Sequence, residues 1–462
     1  MTEHERFNYK DLDELRQAAA ALQTGLRFSE DVSVLGKPLT IGGRQCANAF
    51  AVLPMEGCDS APDGGVTDAV RRRYLRFAAG GSGLLWWEAC AVVPEGRANP
   101  SQMMLTDANH DGFARLLAQV RETAFAEHRI QPLNILQLTH SGRYARPVGH
   151  TPQPMIVQHD PWLDCPFALR EEDPVVTDDY LDRLVEHYVH SARLAKECGF
   201  DGVDIKACHR YLLSELLSAR NRGGKYGGSF ENRIRLLLNI IEAVKAEVGS
   251  DMIVASRFNA FDVHPYPYGF GSAEDGSDVW DDREPVALTQ RMVAAGVGLL
   301  SASAGNPYYR RPNVTRPFDL PPEGGELPPE HPLQSVARLF AVTKTIQQAA
   351  GSVPVVGTGY SWLRQFIPYA AAANLHDHAC KMVGLGRSSI AYPNAPADLF
   401  RDGCFHAEKC CVACSKCTQI MRDHGETGCV IRDSAQFAPK YAQYRKEAIA
   451  RAQTNAGKEG KR

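Results

Sequence analysis

The sequence predicts an α/β chain: one (β/α)8 TIM barrel followed by a small cysteine-rich C-terminal segment. Two observations carry the barrel. Eight short apolar runs alternate with longer stretches of helical period, the pattern of repeated βα units. Polar and charged residues collect just past the C-terminal ends of those runs, where a barrel builds its site. A third observation carries the segment: six of the thirteen cysteines fall between Cys404 and Cys429.

In chain order, Tyr9–Leu26 reads as a helical extension, and residues 1–33 are set apart from the barrel. The expected strands are Phe50–Leu53, Leu84–Trp87, Leu133–Leu138, Gly202–Ile205, Ile253–Ser256, Leu299–Ala302, Val353–Val356 and Met382–Leu385. Amphipathic stretches between them predict helices over Asp68–Ala79, Phe113–Glu127, Asp179–Cys198, Phe230–Val248, Leu333–Ala350 and Trp362–Ala373. The barrel is expected over residues 34–400, with a doubly wound open sheet as the structural alternative. Two long segments rich in Gly, Pro and aromatics, Phe258–Glu284 and Asn306–Pro332, follow the fifth and sixth strands and are candidate pocket walls. The last residues, from Ala450 onward, are expected to fray.

Composition excludes several classes. A hydrophobic fraction of 44% and a charged fraction of 23% suit a globular enzyme and exclude a disordered chain. The net charge of −3 gives no basic field for nucleic acid or an anionic membrane surface. No apolar run reaches the roughly 20 residues of a membrane span. The charged start has no apolar h-region, so a cytoplasmic location is expected. Oligomeric state is left open.

The strand ends hold the candidate site. The first is followed by Pro54-Met55-Glu56-Gly57, the second by Glu88-Ala89, and the third runs into Gln137-Leu138-Thr139-His140. The fourth is followed by Lys206-Ala207-Cys208-His209-Arg210-Tyr211 and the fifth by Arg257. Any one of these charges could serve a structural ion pair, but together they point to a ligand site. At the seventh and eighth strands, Gly357-Thr358-Gly359 and Gly386-Arg387 suit a phosphate: glycine lets backbone N–H groups approach an anion, and arginine supplies a bidentate charge. No G-x-G-x-x-G dinucleotide fingerprint is present.

Cys411-x2-Cys414-x2-Cys417-x11-Cys429 offers four thiolates. Such a set suits an iron–sulfur cluster or a tetrahedral zinc, and three close cysteines with one distant favour a 4Fe–4S cluster over two separated pairs for zinc. Cys410 is an alternative to Cys411 in another register, and Cys404 is a bystander. Residues 401–462 are thus expected to be a 4Fe–4S segment and tail.

Four segments resemble the Old Yellow Enzyme-type NADH:flavin oxidoreductases: AFAVLPMEGC with the following DGGVTDAVRRRYLRFAAGGSGLLWWEACAVVPEGR, NILQLTHSGR, GFDGVDIKACHRYLLSELLSARNRGGKYGGSFENR, and KMVGLGRSSIAYPN. The resemblance runs from about Val34 to Phe437, and the cysteines place it near the iron–sulfur branch of 2,4-dienoyl-CoA reductase and trimethylamine dehydrogenase. It implies FMN and a 4Fe–4S cluster as cofactors. It implies that Pro54, Met55, Ala89 and Gln137 line the flavin ring, that Arg257 faces its N1–O2 edge, and that Gly359, Gly386 and Arg387 hold its phosphate. It also implies catalytic roles for Lys206, His209 and Tyr211. Lys206 departs from the usual histidine and suits a carboxylate or developing enolate, and Tyr211 fits the proton donor. Lys206 has the structural alternative of pairing with an acid such as Glu88, and Tyr211 that of packing.

Tyr308 and Tyr309 stand where dienoyl-CoA reductases carry a histidine, and Glu56 where the trimethylamine dehydrogenase branch has its flavin-linking cysteine. The expected reaction is that of an ene-reductase acting on a small-molecule substrate with a carbonyl- or carboxylate-conjugated C=C bond. An amine dehydrogenase or demethylase is the alternative, with Trp86, Trp87, Tyr308, Tyr309 and Tyr360 as a candidate aromatic bowl. A ligand-binding barrel with structural zinc is a third reading. Larger relatives continue into nucleotide-binding domains, and a separate electron-transfer protein or reductase is the expected partner.

Overall fold

The computed structural model describes residues 4–307 and 316–459, with side chains described to residue 453. Helix α1 (Leu12–Ala21) starts at an Asp11 N-cap and docks on the barrel through Leu15 and Ala19. A hairpin of β1 (Leu39–Ile41) and β2 (Arg44–Cys46) follows, turned by Gly42 and Gly43 at φ 53° and 83°. Two successive left-handed residues are what a tight hairpin of this hand requires. The hairpin was not expected from the sequence.

Eight strands then form a closed parallel barrel: β3 (Phe50–Val52), β4 (Leu84–Ala91), β5 (Leu133–Thr139), β6 (Gly202–Ile205), β7 (Ile253–Phe261), β8 (Leu299–Ala304), β9 (Val355–Gly357) and β10 (Met382–Leu385). Val383 of β10 lies beside Phe50 of β3, which closes the ring and excludes the open sheet. All eight expected strands are present, and β4, β5, β7 and β8 run further toward their C-terminal ends than expected.

The outer layer is α2 (Asp68–Ala78), α3 (His110–His128), α4 (Asp178–Cys198), α5 (Leu212–Leu217), α6 (Phe230–Val248), α7 (Arg283–Ala294), α8 (Pro332–Ala350), α9 (Ile367–His376), α10 (Arg387–Ala391) and α11 (Ala395–Asp402). Helix α7 was missed in the sequence, and the expected Trp362–Ala373 helix is a 3-10 stretch, Tyr360–Phe366, running into α9.

Alternation along the strands sorts the side chains. On β4, Leu84 and Trp86 point into the barrel while Leu85 and Trp87 join the strand–helix layer. Leu133, Ile135, Ile253, Ala255, Leu299, Val356 and Met382 fill the same interior, and Ile41 and Cys46 of the hairpin seal its floor.

The C-terminal segment holds α12 (Lys416–Arg422) and α13 (Ser434–Glu459). Phe437, Tyr441 and Tyr444 of α13 pack on Ile420 and Val430. The tail expected to fray is therefore helical as far as Glu459. Among the described residues, no helix is long and apolar enough to cross a membrane.

Candidate active site

Above the apolar floor, the inward positions turn polar. Asp204, in the middle of β6, is fully buried and accepts Trp86 Nε1 at 2.9 Å, Gln137 Nε2 at 2.6 Å and the Arg257 backbone N–H at 2.8 Å. Burial pushes its pKa up to about 6 against those hydrogen bonds. Gln137, expected to meet a flavin, thus has its amide nitrogen committed to Asp204. Ala89 is buried beside it, in register with Gln137. One of the Arg257 guanidinium nitrogens reaches Pro54 O at 3.5 Å, and Met55 follows at the rim.

Lys206 is the next residue up from β6. It is 4% exposed, with Nζ 3.7 Å from Glu56 Oε1 and 3.7 Å from the centre of the Tyr211 ring. The Tyr211 hydroxyl donates to the same Glu56 oxygen at 2.9 Å, and Gln102 Nε2 donates to it at 3.4 Å. The structure corrects the expected partner of Lys206: it is Glu56, not Glu88. Glu88 faces α2 instead, taking Arg73 at 2.5 Å and the Gly57 N–H at 2.6 Å, while Arg73 also holds Asp59. Burial raises Glu88 to about 7, opposed by Arg73 and helped by Asp59.

His209 and Arg210 both sit in the left-handed region, at φ 64° and 59°, which costs a non-glycine residue about 1 kcal/mol or more. Buried ion pairs from Arg210 to Asp160 at 3.2 Å and Asp262 at 3.1 Å hold this bend, and Asn259 Oδ1 accepts the His209 N–H at 3.3 Å. Burial, then the charges of Arg257, Lys206 and Arg316, holds the His209 pKa well below its usual value. His209 is therefore neutral near pH 7. Tyr144, whose ring centre is 6.1 Å from that of Tyr211, completes this side, its pKa raised to about 12 by burial.

On the opposite side, Gly359 has φ 96°, and Gly386 leads into α10. A Cβ on Gly386 would meet only Met55 Sδ at 3.8 Å and Leu53 Cδ1 at 4.0 Å, so its backbone is open to a ligand. Arg387 is 6% exposed and donates to Pro317 O at 2.6 Å, while among the described residues its Nη1 has no hydrogen-bond partner, like Nε of Arg257. Buried donors left unsatisfied in this way suit an anionic, hydrogen-bonding ligand such as a flavin phosphate and pyrimidine edge.

Cys411, Cys414, Cys417 and Cys429 are half-buried and act electrostatically on one another. Burial lifts Cys411 to about 12 and raises Cys417, while Arg387 acts on both toward the thiolate and Arg316 on Cys417. The Cys410 thiol donates to His406 O at 3.4 Å, and Cys404 is exposed. Among the described residues, the only three His, Cys, Asp or Glu donor atoms all within 4.8 Å of one another belong to Asp398, Asp402 and His406. The Thr427 N–H donates to Gly57 O at 2.7 Å and ties this segment to the loop carrying Glu56.

The candidate aromatic bowl does not form from its described members. Trp86 bonds Asp204 inside the barrel, and Trp87 stacks on Tyr74 at 3.8 Å in the outer layer. Tyr360 is buried against Phe340 with its hydroxyl on Asn374. Tyr308 and Tyr309 lie outside the described residues. Sequence reading placed Glu56 among the strand-end residues without a role of its own, and missed Asp204. A lone acid inside an apolar strand was the available signal for Asp204.

The NADH:flavin oxidoreductase / NADH oxidase family model matches residues 34–276. A metal reductase of Desulforamulus reducens is 28% identical over 396 residues, 85% of this chain and 52% of that protein. An NADPH dehydrogenase of Geobacillus thermodenitrificans is 30% identical over 294 residues, 63% of this chain and 78% of that protein. Among solved structures, a 2-naphthoyl-CoA reductase complex superposes with TM-score 0.67 at 20% identity, covering 87% of this chain and 57% of the other. Histamine dehydrogenase from Rhizobium sp. 4-9 gives 0.64 at 20% identity, covering 86% and 52%. The chain spans about half the length of the metal reductase and of histamine dehydrogenase. At this identity the structures speak for the fold, and the family match speaks for descent. The chain belongs to the NADH:flavin oxidoreductase / NADH oxidase family, whose members are Old Yellow Enzyme-like flavin-dependent oxidoreductases.

Proposed function

We propose that this chain is an FMN- and 4Fe–4S-dependent ene-reductase acting on a C=C bond conjugated to a carbonyl or carboxylate. The observation that carries the reading is the convergence of Lys206, His209 and Tyr211 at the end of one strand, beside Arg257 of the next. FMN fits the unsatisfied donors of Arg387 and Arg257 and the open backbone at Gly386. Pro54, Met55, Ala89, Gln137 and Gly359 would complete its cradle. Bound FMN would supply a two-electron hydride donor.

The chain's own residues then do three things. Lys206 places a positive charge where negative charge develops on the conjugated oxygen, and neutral His209 offers that oxygen a hydrogen bond. Tyr211 holds a proton for the α-carbon at a site closed to bulk water. Arg257 and Arg316 add positive field, which favours an anionic or enolate-forming substrate over a cationic amine.

Three close cysteines with one distant favour a 4Fe–4S cluster over zinc. Cys411, Cys414, Cys417 and Cys429 would hold it, with Arg387 and Arg316 offsetting thiolate charge. We further propose that a separate electron-transfer protein or reductase delivers electrons through this cluster. A reduced low-potential carrier should then reduce the flavin faster than NADH or NADPH does. Fast nicotinamide reduction, undiminished in Cys414→Ala with flavin retained, would overturn that part.

The test of the reaction is a panel of enoates, enones and methylated amines offered to wild type and Lys206→Ala. Enoates and enones should turn over, and the substitution should weaken anionic substrates most, by about tenfold. Turnover of amines alone would favour the dehydrogenase.

A further inference from the structure

We propose that Glu56 is the proton relay that restores Tyr211 between turnovers. This rests on the reading of Tyr211 as the acid that protonates the α-carbon, and it adds a residue which neither the motif nor the family match assigns.

The geometry supplies the argument. Tyr211 is 2% exposed, so a phenolate formed there has little access to bulk water. Its hydroxyl already donates to Glu56 Oε1 at 2.9 Å, a distance over which a proton can pass without rearrangement. Glu56 comes from a different part of the mouth, the loop after β3, and its side chain is 13% exposed against 4% for Lys206. It is the member of this trio with the most contact with solvent. Lys206 Nζ at 3.7 Å and Gln102 Nε2 at 3.4 Å hold the carboxylate in place from two other directions. A carboxyl group can accept a proton from water and pass it on. An amide cannot.

The steps balance as follows. Bound reduced flavin would supply the hydride and both electrons for the β-carbon, and Tyr211 gives its proton to the α-carbon. The Glu56 carboxylate then takes a proton from a hydronium ion or buffer acid and passes it to the Tyr211 phenolate, returning to the carboxylate. One hydride and one proton are added across the C=C bond, and the protein returns to its starting state.

A relay differs from a positioning residue in when it is needed. In Glu56→Gln, Tyr211 starts protonated, so the first turnover of chemically reduced holoprotein with cyclohexenone should keep its rate. Later turnovers should fall by about 10²-fold. The near-ultraviolet absorbance of tyrosinate should persist after that first turnover in the variant, decay at once in wild type, and be missing in Tyr211→Phe. Small carboxylic acids added to the buffer should rescue the later turnovers. Unchanged steady-state turnover in Glu56→Gln would overturn the proposal. Equal slowing of first and later turnovers, with no tyrosinate signal, would also overturn it and make Glu56 a positioning group. Tyr211→Phe run alongside separates the two levels: undiminished turnover there removes the acid itself, whereas slow Tyr211→Phe with normal Glu56→Gln removes only the relay.

Discussion

The two ends of the barrel are built from the same strands and do opposite work. At the floor, Leu84, Ile135, Ile253 and Met382 meet the β1–β2 hairpin in an apolar plug. At the mouth, the same inward positions of β5, β6 and β7 carry Gln137, Asp204, Lys206 and Arg257, with Glu56 brought over from the β3 loop. Burial is nearly complete at both ends, so hydrophobicity alone does not distinguish them. The difference lies in what satisfies the side chains: close packing below, and a set of charges above that the chain pairs only in part. Apolar side chains fill the floor, whereas at the mouth donors of Arg257 and Arg387 lack hydrogen-bond partners among the described residues.

That division can be broken from below. Leu84→Ala removes a fully buried side chain from the floor and should cost about 3–4 kcal/mol of unfolding free energy while leaving bound FMN stoichiometric. Chemical denaturation alongside flavin titration checks this. Loss of flavin affinity in step with stability would show that the two ends are not separate.

The layer between β4 and α2, just behind the mouth, should carry its own pH signature. Glu88 is held at about 7 by burial, against an ordinary value of 4.5, so the folded state binds its proton more tightly than the unfolded state. Its contribution is therefore present at low pH and lost as pH rises from about 4.5 through about 7, by at most about 3 kcal/mol. Glu88→Gln should flatten the difference in stability between about pH 5 and about pH 8. An unchanged slope would mean that another group titrates there.

A smaller effect should separate the phosphate side from the catalytic side. Arg387→Ala should weaken FMN by about 30-fold, the worth of one charge-assisted hydrogen-bond donor pair, with the barrel's thermal stability nearly unchanged. Equal FMN affinity in the variant would move the phosphate elsewhere.

The floor was far more legible in the sequence than the mouth. Strands β6 and β10 and helix α6 were bounded to the residue, because apolar runs end abruptly at GVDI and MVGL and Ser229 caps the helix. The β1–β2 hairpin was missed because three-residue strands leave almost no periodicity, although its Gly42-Gly43 turn was in view. Helix α7 was hidden behind the Pro- and Gly-rich loop before it. The residues from Ala450 onward were expected to fray, yet the helix that carries Phe437, Tyr441 and Tyr444 onto Ile420 and Val430 continues to Glu459. At the mouth, the residue types at the strand ends were readable but their pairings were not. Glu56 and Lys206 lie far apart in sequence, and only closure of the barrel makes Glu56, rather than Glu88, the partner of Lys206.

The most direct test is a stopped-flow record of the visible flavin absorbance. Anaerobically reduced holoprotein is mixed with cyclohexenone or cinnamate, in wild type and in Tyr211→Phe. The oxidised flavin band should return in wild type with one equivalent of reduced product, and about 10²-fold more slowly in Tyr211→Phe. A flavin that no conjugated alkene reoxidises, in a protein whose oxidised form is bleached by methylated amines, would contradict it.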